Sequence, residues 1–64
     1  MIGYVIKYKD SKYVTRTGEH SKIVHDALMF DKEMNSRQFV EMIYPHDSDY
    51  KVVQIRIIEG SLWE

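Results

Sequence analysis

Residues 2–9 alternate in character, with Tyr4, Ile6 and Tyr8 on one side of an extended chain and Val5, Lys7 and Lys9 on the other. A period of two predicts a strand. Asp10-Ser11 then supplies turn chemistry, because short polar side chains bond their own backbone and tolerate unusual torsions. Alternation resumes over 12–17, setting Tyr13 and Thr15 against Val14 and Arg16. β-branched and aromatic residues fill both arms, as a pleated, half-buried surface requires. The pattern predicts an antiparallel hairpin. Thr17-Gly18-Glu19-His20-Ser21 reads as a loop, with Ile23 and Val24 as anchors that fold it back on the core.

The block Asp26-Ala27-Leu28-Met29-Phe30-Asp31 reads as a short buried strand feeding a helix. Its apolar run is too short for periodicity to type, and a helical turn ending near Ala27 is the alternative. Ser36, Phe39, Val40 and Ile43 stand at i, i+3, i+4 and i+7, one apolar stripe with Arg37, Gln38 and Glu41 off it. Two starts fit: Asp31 capping a helix from 32, or Asn35 with Gln38 as a later capping box. Pro45 sets the stop by excluding helical torsions at Tyr44. His46-Asp47-Ser48-Asp49 is a polar turn, and 50–58 is the clearest strand of the chain. Val53, Ile55 and Ile57 point one way along it, and Val52, Gln54, Arg56 and Ile58 the other. Glu59-Gly60-Ser61 ends that strand. The tail Leu62-Trp63-Glu64 carries a Trp that either packs on the domain or serves a partner.

The expected order is β-β-β-α-β in one domain, residues 1–64, with a core over 2–59 and a tail over 60–64. One helix on an antiparallel sheet of about four strands makes a small two-layer α+β sandwich. The helix is expected to cover Tyr4, Ile6, Tyr8, Tyr13, Phe30, Val53, Ile55 and Ile57. The opposite face would then expose Val5, Val14, Val52 and Ile58 beside Lys7, Arg16 and Arg56, a mixed apolar and basic surface.

Size and charge narrow the function classes. A chain of 64 residues buries only roughly 60% of its unfolded surface, so small folds recruit disulfides, metals or partner subunits. The chain has no cysteine, which fits a reducing, cytoplasmic setting, and its three histidines are scattered. Self-association is the route left, so a homodimer is one expectation. Nine basic against ten acidic residues give no footprint for non-specific nucleic-acid binding, and too little charge for a polyanionic mimic. No apolar run spans a membrane, and the N-terminal residues lack the pattern of a signal peptide.

No constellation predicts chemistry. His20, His25 and His46 match no zinc spacing and read as solvated loop histidines. Contiguous His46-Asp47-Ser48 cannot adopt triad geometry. Asp47 and Asp49 open like a calcium loop but lack its glycine and distal glutamate, so a turn that caps its own backbone is expected. No phosphate-cradling glycine loop is present. The expectation is a non-enzyme with no metal and no cofactor. Tyr4, Tyr8 and Tyr13 read as core residues with hydroxyls at the rim, although tyrosines on strands can also stack on bases.

The tyrosine-rich hairpin, the Asp26–Asp31 block, the Phe39 helix and Tyr50-Lys51-Val52-Val53 together resemble small uncharacterised proteins encoded by phages and prophages of Gram-positive bacteria. The resemblance spans residues 4–58 and rests on core and turn positions. Those proteins often carry Ala where this chain has Ser36. The resemblance implies a fold, a phage or prophage origin and a bacterial cytoplasm, and it transfers no functional residue. The expected function is a protein-binding module that modulates or inhibits a host or phage protein. Its contact residues would be Val5, Lys7, Val14, Arg16, Val52, Gln54, Arg56, Ile58 and Trp63, with Met29, Met34 and Met42 as adaptable, interface-prone side chains. The alternatives are a nucleic-acid-associated regulator using Lys7, Arg16 and Arg56, and a structural homodimer.

Overall fold

The computed structural model describes all 64 residues. Strand β1 (Ile2–Tyr8) turns through Asp10-Ser11 into β2 (Tyr13–Val14), and β3 (His20–Ser21) follows. A 3₁₀ turn (Val24–Asp26) precedes helix α1 (Glu33–Ile43), then β4 (Tyr50–Ile58) and β5 (Ser61–Trp63). The strands form one antiparallel sheet in the order β3-β2-β1-β4-β5. The α+β class holds, with five strands where four were expected. No helix is long and apolar enough to cross a membrane.

The first turn forms as its residues dictate. Ser11 sits at φ 69°, and the Asp10 carboxylate accepts the Lys12 N–H at 3.0 Å. β2 is shorter than its alternation suggested, because β1 and β2 part after Val14. Leu28 N–H donates to Val14 O at 2.9 Å, and Phe30 exchanges both backbone bonds with Tyr4 at 2.7 and 2.8 Å. The 26–31 block therefore combines both readings made of it. A helical turn ends at Asp26, and an extended run then pairs Ala27 with Thr15 and Phe30 with Tyr4. His20-Ser21, expected in a loop, pairs with β2 through a turn at Gly18.

The helix starts at Glu33 after Lys32, with no side-chain cap, so neither Asp31 nor Asn35 caps it. Glu33 places a carboxylate in the first turn and binds Arg37 one turn on at 2.9 Å. The helix stops at Ile43, before Pro45. Ser36 is fully buried, and its hydroxyl donates to Glu33 O at 2.6 Å, so the small side chain enters the interface without an orphaned polar atom. Phe39 meets Phe30 with ring centroids 5.5 Å apart, whereas Ile43 ends the stripe exposed.

The strand register corrects the expected faces. Val5 lies opposite Val53, and Gly3 opposite Ile55, so directly opposed side chains group Val5 with Val53, Ile55 and Ile57. Tyr13 lies opposite Lys7 and joins this group. Of the eight residues expected beneath the helix, Tyr4, Ile6, Tyr8 and Phe30 are there; Tyr13, Val53, Ile55 and Ile57 face away. Alternation gives each strand two faces but not the phase between strands, and one residue of slip exchanges them. The second face is not bare. Val5, Tyr13 and Ile55 are buried there, with Val24, Ala27 and Met29 packed against them. Ile23, the other expected anchor, is exposed. A Cβ on Gly3 would collide with the Met29 sulfur, so glycine leaves the space that the Met29 side chain fills.

Candidate functional site

The helix leaves one corner of its own face uncovered. Ile2 of β1 lies opposite Arg56 of β4, and Arg56 lies opposite Trp63 of β5, so the three share one cross-strand row. Ile58 and Gln54 flank Arg56 on the same face. Ile2, Ile58 and Trp63 are 47%, 48% and 59% exposed. The guanidinium of Arg56 takes part in none of the four ion pairs of the protein. Isolated exposed hydrophobes are ordinary, but three large ones around an unpaired guanidinium are a contiguous patch.

Local sequence builds this corner. Glu59 and Gly60 both hold positive φ, 50° and 81°, the torsions of a two-residue hairpin turn whose twist matches the flanking strands. The turn folds Leu62 and Trp63 back beside Ile57 and Arg56. The tail is thus a strand, and Leu62 packs against the buried cluster of the second face while Trp63 points to the first. Ile2 and β5 were missed by the sequence reading. The signal was present: apolar residues on both sides of Glu59-Gly60, an Xaa-Gly pair at hairpin spacing.

The nine expected contact residues divide. Gln54, Arg56, Ile58 and Trp63 come together at the corner, with Val52 half-buried further along the same face of β4. Val14 is on the helix side but fully buried, and Arg16 lies exposed beyond the end of β2. Val5 is fully buried on the opposite face, and Lys7 is beside it. The single face that was to unite all of them but Trp63 does not exist. Lys7 and Arg56, two of the three cations of the nucleic-acid alternative, lie on opposite faces.

Around Lys7 the chain satisfies its own charges. Its ammonium binds both Glu64 carboxylate oxygens, at 2.8 and 3.0 Å, which holds the Lys7 pKa above its ordinary value. The Tyr13 hydroxyl donates to the same carboxylate at 3.3 Å; burial, then the Glu64 charge, pushes this phenol up. Lys9 pairs with Asp49 at 3.2 Å, which likewise raises its pKa.

At the other end of the helix face, Tyr8, His20, Tyr44 and Tyr50 form an aromatic cluster. Tyr44 and Tyr50 stack with centroids 3.6 Å apart, and His20 meets the Tyr50 ring edge-on at 5.7 Å. The Tyr50 hydroxyl and His20 Nε2 are 3.2 Å apart. Burial, reinforced by Tyr44, pushes the Tyr50 phenol up to about 12. His20 is therefore half-buried structure and not a solvated loop histidine. His25 Nε2 reaches Gly60 O at 3.2 Å, which ties the 3₁₀ turn to the β4–β5 hairpin. The Asp47 carboxylate accepts the Asp49 N–H at 2.9 Å, the self-capping turn that its spacing suggested. No three His, Asp or Glu side chains converge in metal-binding geometry.

No family model, curated protein or solved structure matches this chain.

Proposed function

We propose that this protein is a non-enzymatic binding module, of the phage or prophage origin that the resemblance implies, which modulates a host protein through the Ile2–Arg56–Trp63 corner. The supporting observation is the exposed row itself. Trp and Arg are the side chains that most often dominate binding energy at protein interfaces, and here they sit adjacent, with two exposed isoleucines beside Arg56. The corner offers apolar area and one cation, which suits contact more than bond-making. The neighbouring aromatic rings are committed to one another.

The test is capture from a nuclease-treated lysate of a Gram-positive host by the tagged protein, beside the Arg56→Glu/Trp63→Ala variant. The expected result is one stoichiometric host protein, lost with the variant while the unfolding free energy stays within about 0.5 kcal/mol of the parent. Capture that survives both substitutions rejects the corner. Bound material that disappears with nuclease rejects the protein-partner reading.

A further inference from the structure

Strand β4 is nine residues long, but β5 pairs with only Arg56, Ile57 and Ile58. Tyr50–Ile55 borders no strand on that side. Which groups point outward follows from the ladder. Ile57 N–H donates to Met1 O at 2.8 Å, so by the alternation of an antiparallel pair the odd residues of β4 turn their N–H and C=O toward β1. Tyr50, Val52 and Gln54 turn theirs outward. The result is a run of unpaired backbone beside a covered sheet, a template for another strand.

One cleft borders this edge on the helix side, and a second lies over the β1–β4 seam on the opposite face. On the helix side, a cleft of about 440 Å³ lies between Arg37, Val40 and Glu41 of α1 and Tyr50 and Val52 of β4. On the opposite face, a cleft of about 420 Å³ is lined by Lys7, Lys9 and Lys51 with Ser11, Ser48 and Asp49. Lys51 borders both clefts. Lys7 and Lys9 already hold carboxylates, but Lys51 makes no ion pair. It also stands directly opposite Lys7 on the neighbouring strand, where like charges destabilise a sheet.

We propose that the outer edge of β4 at Tyr50–Gln54 binds an extended peptide segment of a partner protein as a sixth strand, with alternating apolar and acidic side chains. Main-chain bonds to Val52 and Gln54 would supply affinity, and the alternating side chains would supply selection. Apolar side chains enter the cleft between Val40 and Val52. Carboxylates on the other face meet Lys51 and relieve its repulsion with Lys7. A second copy of this chain would bring another Lys51 to the same edge and add like charge. The site shares only Gln54, through its backbone, with the Ile2–Arg56–Trp63 corner and uses neither Arg56 nor Trp63, so the two proposals fail independently.

The probe is an acetylated, amidated octapeptide of alternating glutamate and valine, added to the ¹⁵N-labelled full chain. Amide exchange at Val52 and Gln54 is expected to slow at least about tenfold. Lys51→Glu is expected to weaken binding about tenfold, and Trp63→Ala to leave it unchanged. Two further peptides, N-methylated on every glutamate or on every valine, keep the side chains but each block one set of N–H groups. At least one is expected not to bind. Unslowed exchange at millimolar peptide, or equal binding of both N-methylated forms, overturns the proposal. Equal binding of a lysine–valine octapeptide overturns its acidic selectivity. Protection that grows with protein concentration in the absence of peptide gives the edge to a second copy and overturns the peptide assignment.

Discussion

The two faces of the sheet are covered by different means. One carries a regular helix, and it is the face that stays partly open: Tyr4, Ile6 and Tyr8 are sheltered, while Ile2, Arg56, Ile58 and Trp63 reach solvent. The other is covered by a 3₁₀ turn and by the Ala27 and Met29 side chains of an extended run paired beside β1, yet Val5 and Ile55 beneath them are fully buried. Regular structure in the cover is not what seals a face; fit is. Met29, an unbranched side chain, settles over Gly3, and Ala27 and Val24 bring in only small volumes. A short helix of 11 residues cannot span a strand pair from end to end, and what it leaves bare is the corner proposed to bind.

If this contrast is right, one strand should show it. Ile55 and Ile58 are three residues apart on β4 and face opposite ways. Ile55→Ala is expected to cost about 3 kcal/mol, by lost transfer energy plus a cavity, enough to unfold much of so small a domain. Ile58→Ala is expected to cost under about 0.5 kcal/mol. Urea unfolding of both variants measures the difference, and equal costs would abolish the distinction between the faces. Gly3→Ala comes next, at about 2 kcal/mol, because the added methyl forces Met29 off its seat. The double variant Gly3→Ala/Met29→Ala should cost clearly less than the sum of its parts. Additive costs would show that Met29 does not close this face.

How much of this was legible in the sequence depended on whether the signal was local. The extent of β4, the turn at Asp10-Ser11 and the helix stop before Pro45 were readable, because periodicity and turn chemistry act within a few residues. β3 was not, since two residues carry no period and His20-Ser21 pairs only because Gly18 turns the chain. The grouping of Tyr13 and Ile55 with Val5 was not, since alternation leaves the phase between strands open. Four of the corner's five residues were therefore foreseen, Arg56, Gln54, Ile58 and Trp63, while Val5 and Lys7 were drawn in by a wrong register and Val14 is buried beneath the helix side. Ile2 was absent from the expectation because only pairing puts it opposite Arg56.

The aromatic end of the helix face gives a smaller test, one of pH. The Tyr50 phenol titrates near 12 in the folded protein and near its ordinary 10 when unfolded. Below pH 10 both states hold the proton, and the stabilisation is fully present. Between 10 and 12 the unfolded state loses its proton first, so stability falls as pH rises. Tyr50→Phe should remove about 1–2 kcal/mol of that alkaline loss, after allowance for solvent screening. Urea midpoints of parent and variant between pH 9 and 12 give the comparison. Parallel curves would mean that this end of the face is as solvated as the corner.

The smallest expected effect is at the polar end of the sealed face, where Glu64 binds Lys7 and receives the Tyr13 hydroxyl. Glu64→Gln should cost only about 0.5 kcal/mol, since Glu64 is partly exposed and such pairs gain little in water. Stability is therefore the weaker readout, and titration the sharper one. Without the carboxylate, Lys7 loses the partner that raises its pKa, and Tyr13 keeps its burial but loses the neighbouring negative charge. Both pKa values should fall, Lys7 toward 10.5 and Tyr13 toward 10. NMR titration of the Lys7 side chain and the Tyr13 ring measures both shifts. Glu33→Gln on the helix face is the control, because it removes an exposed carboxylate that touches only Arg37 and the helix start. If Glu33→Gln moves Lys7 or Tyr13 as far as Glu64→Gln does, these shifts report the net charge of the protein. If only Glu64→Gln moves them, one side chain closes the rim of the face that the helix never reaches.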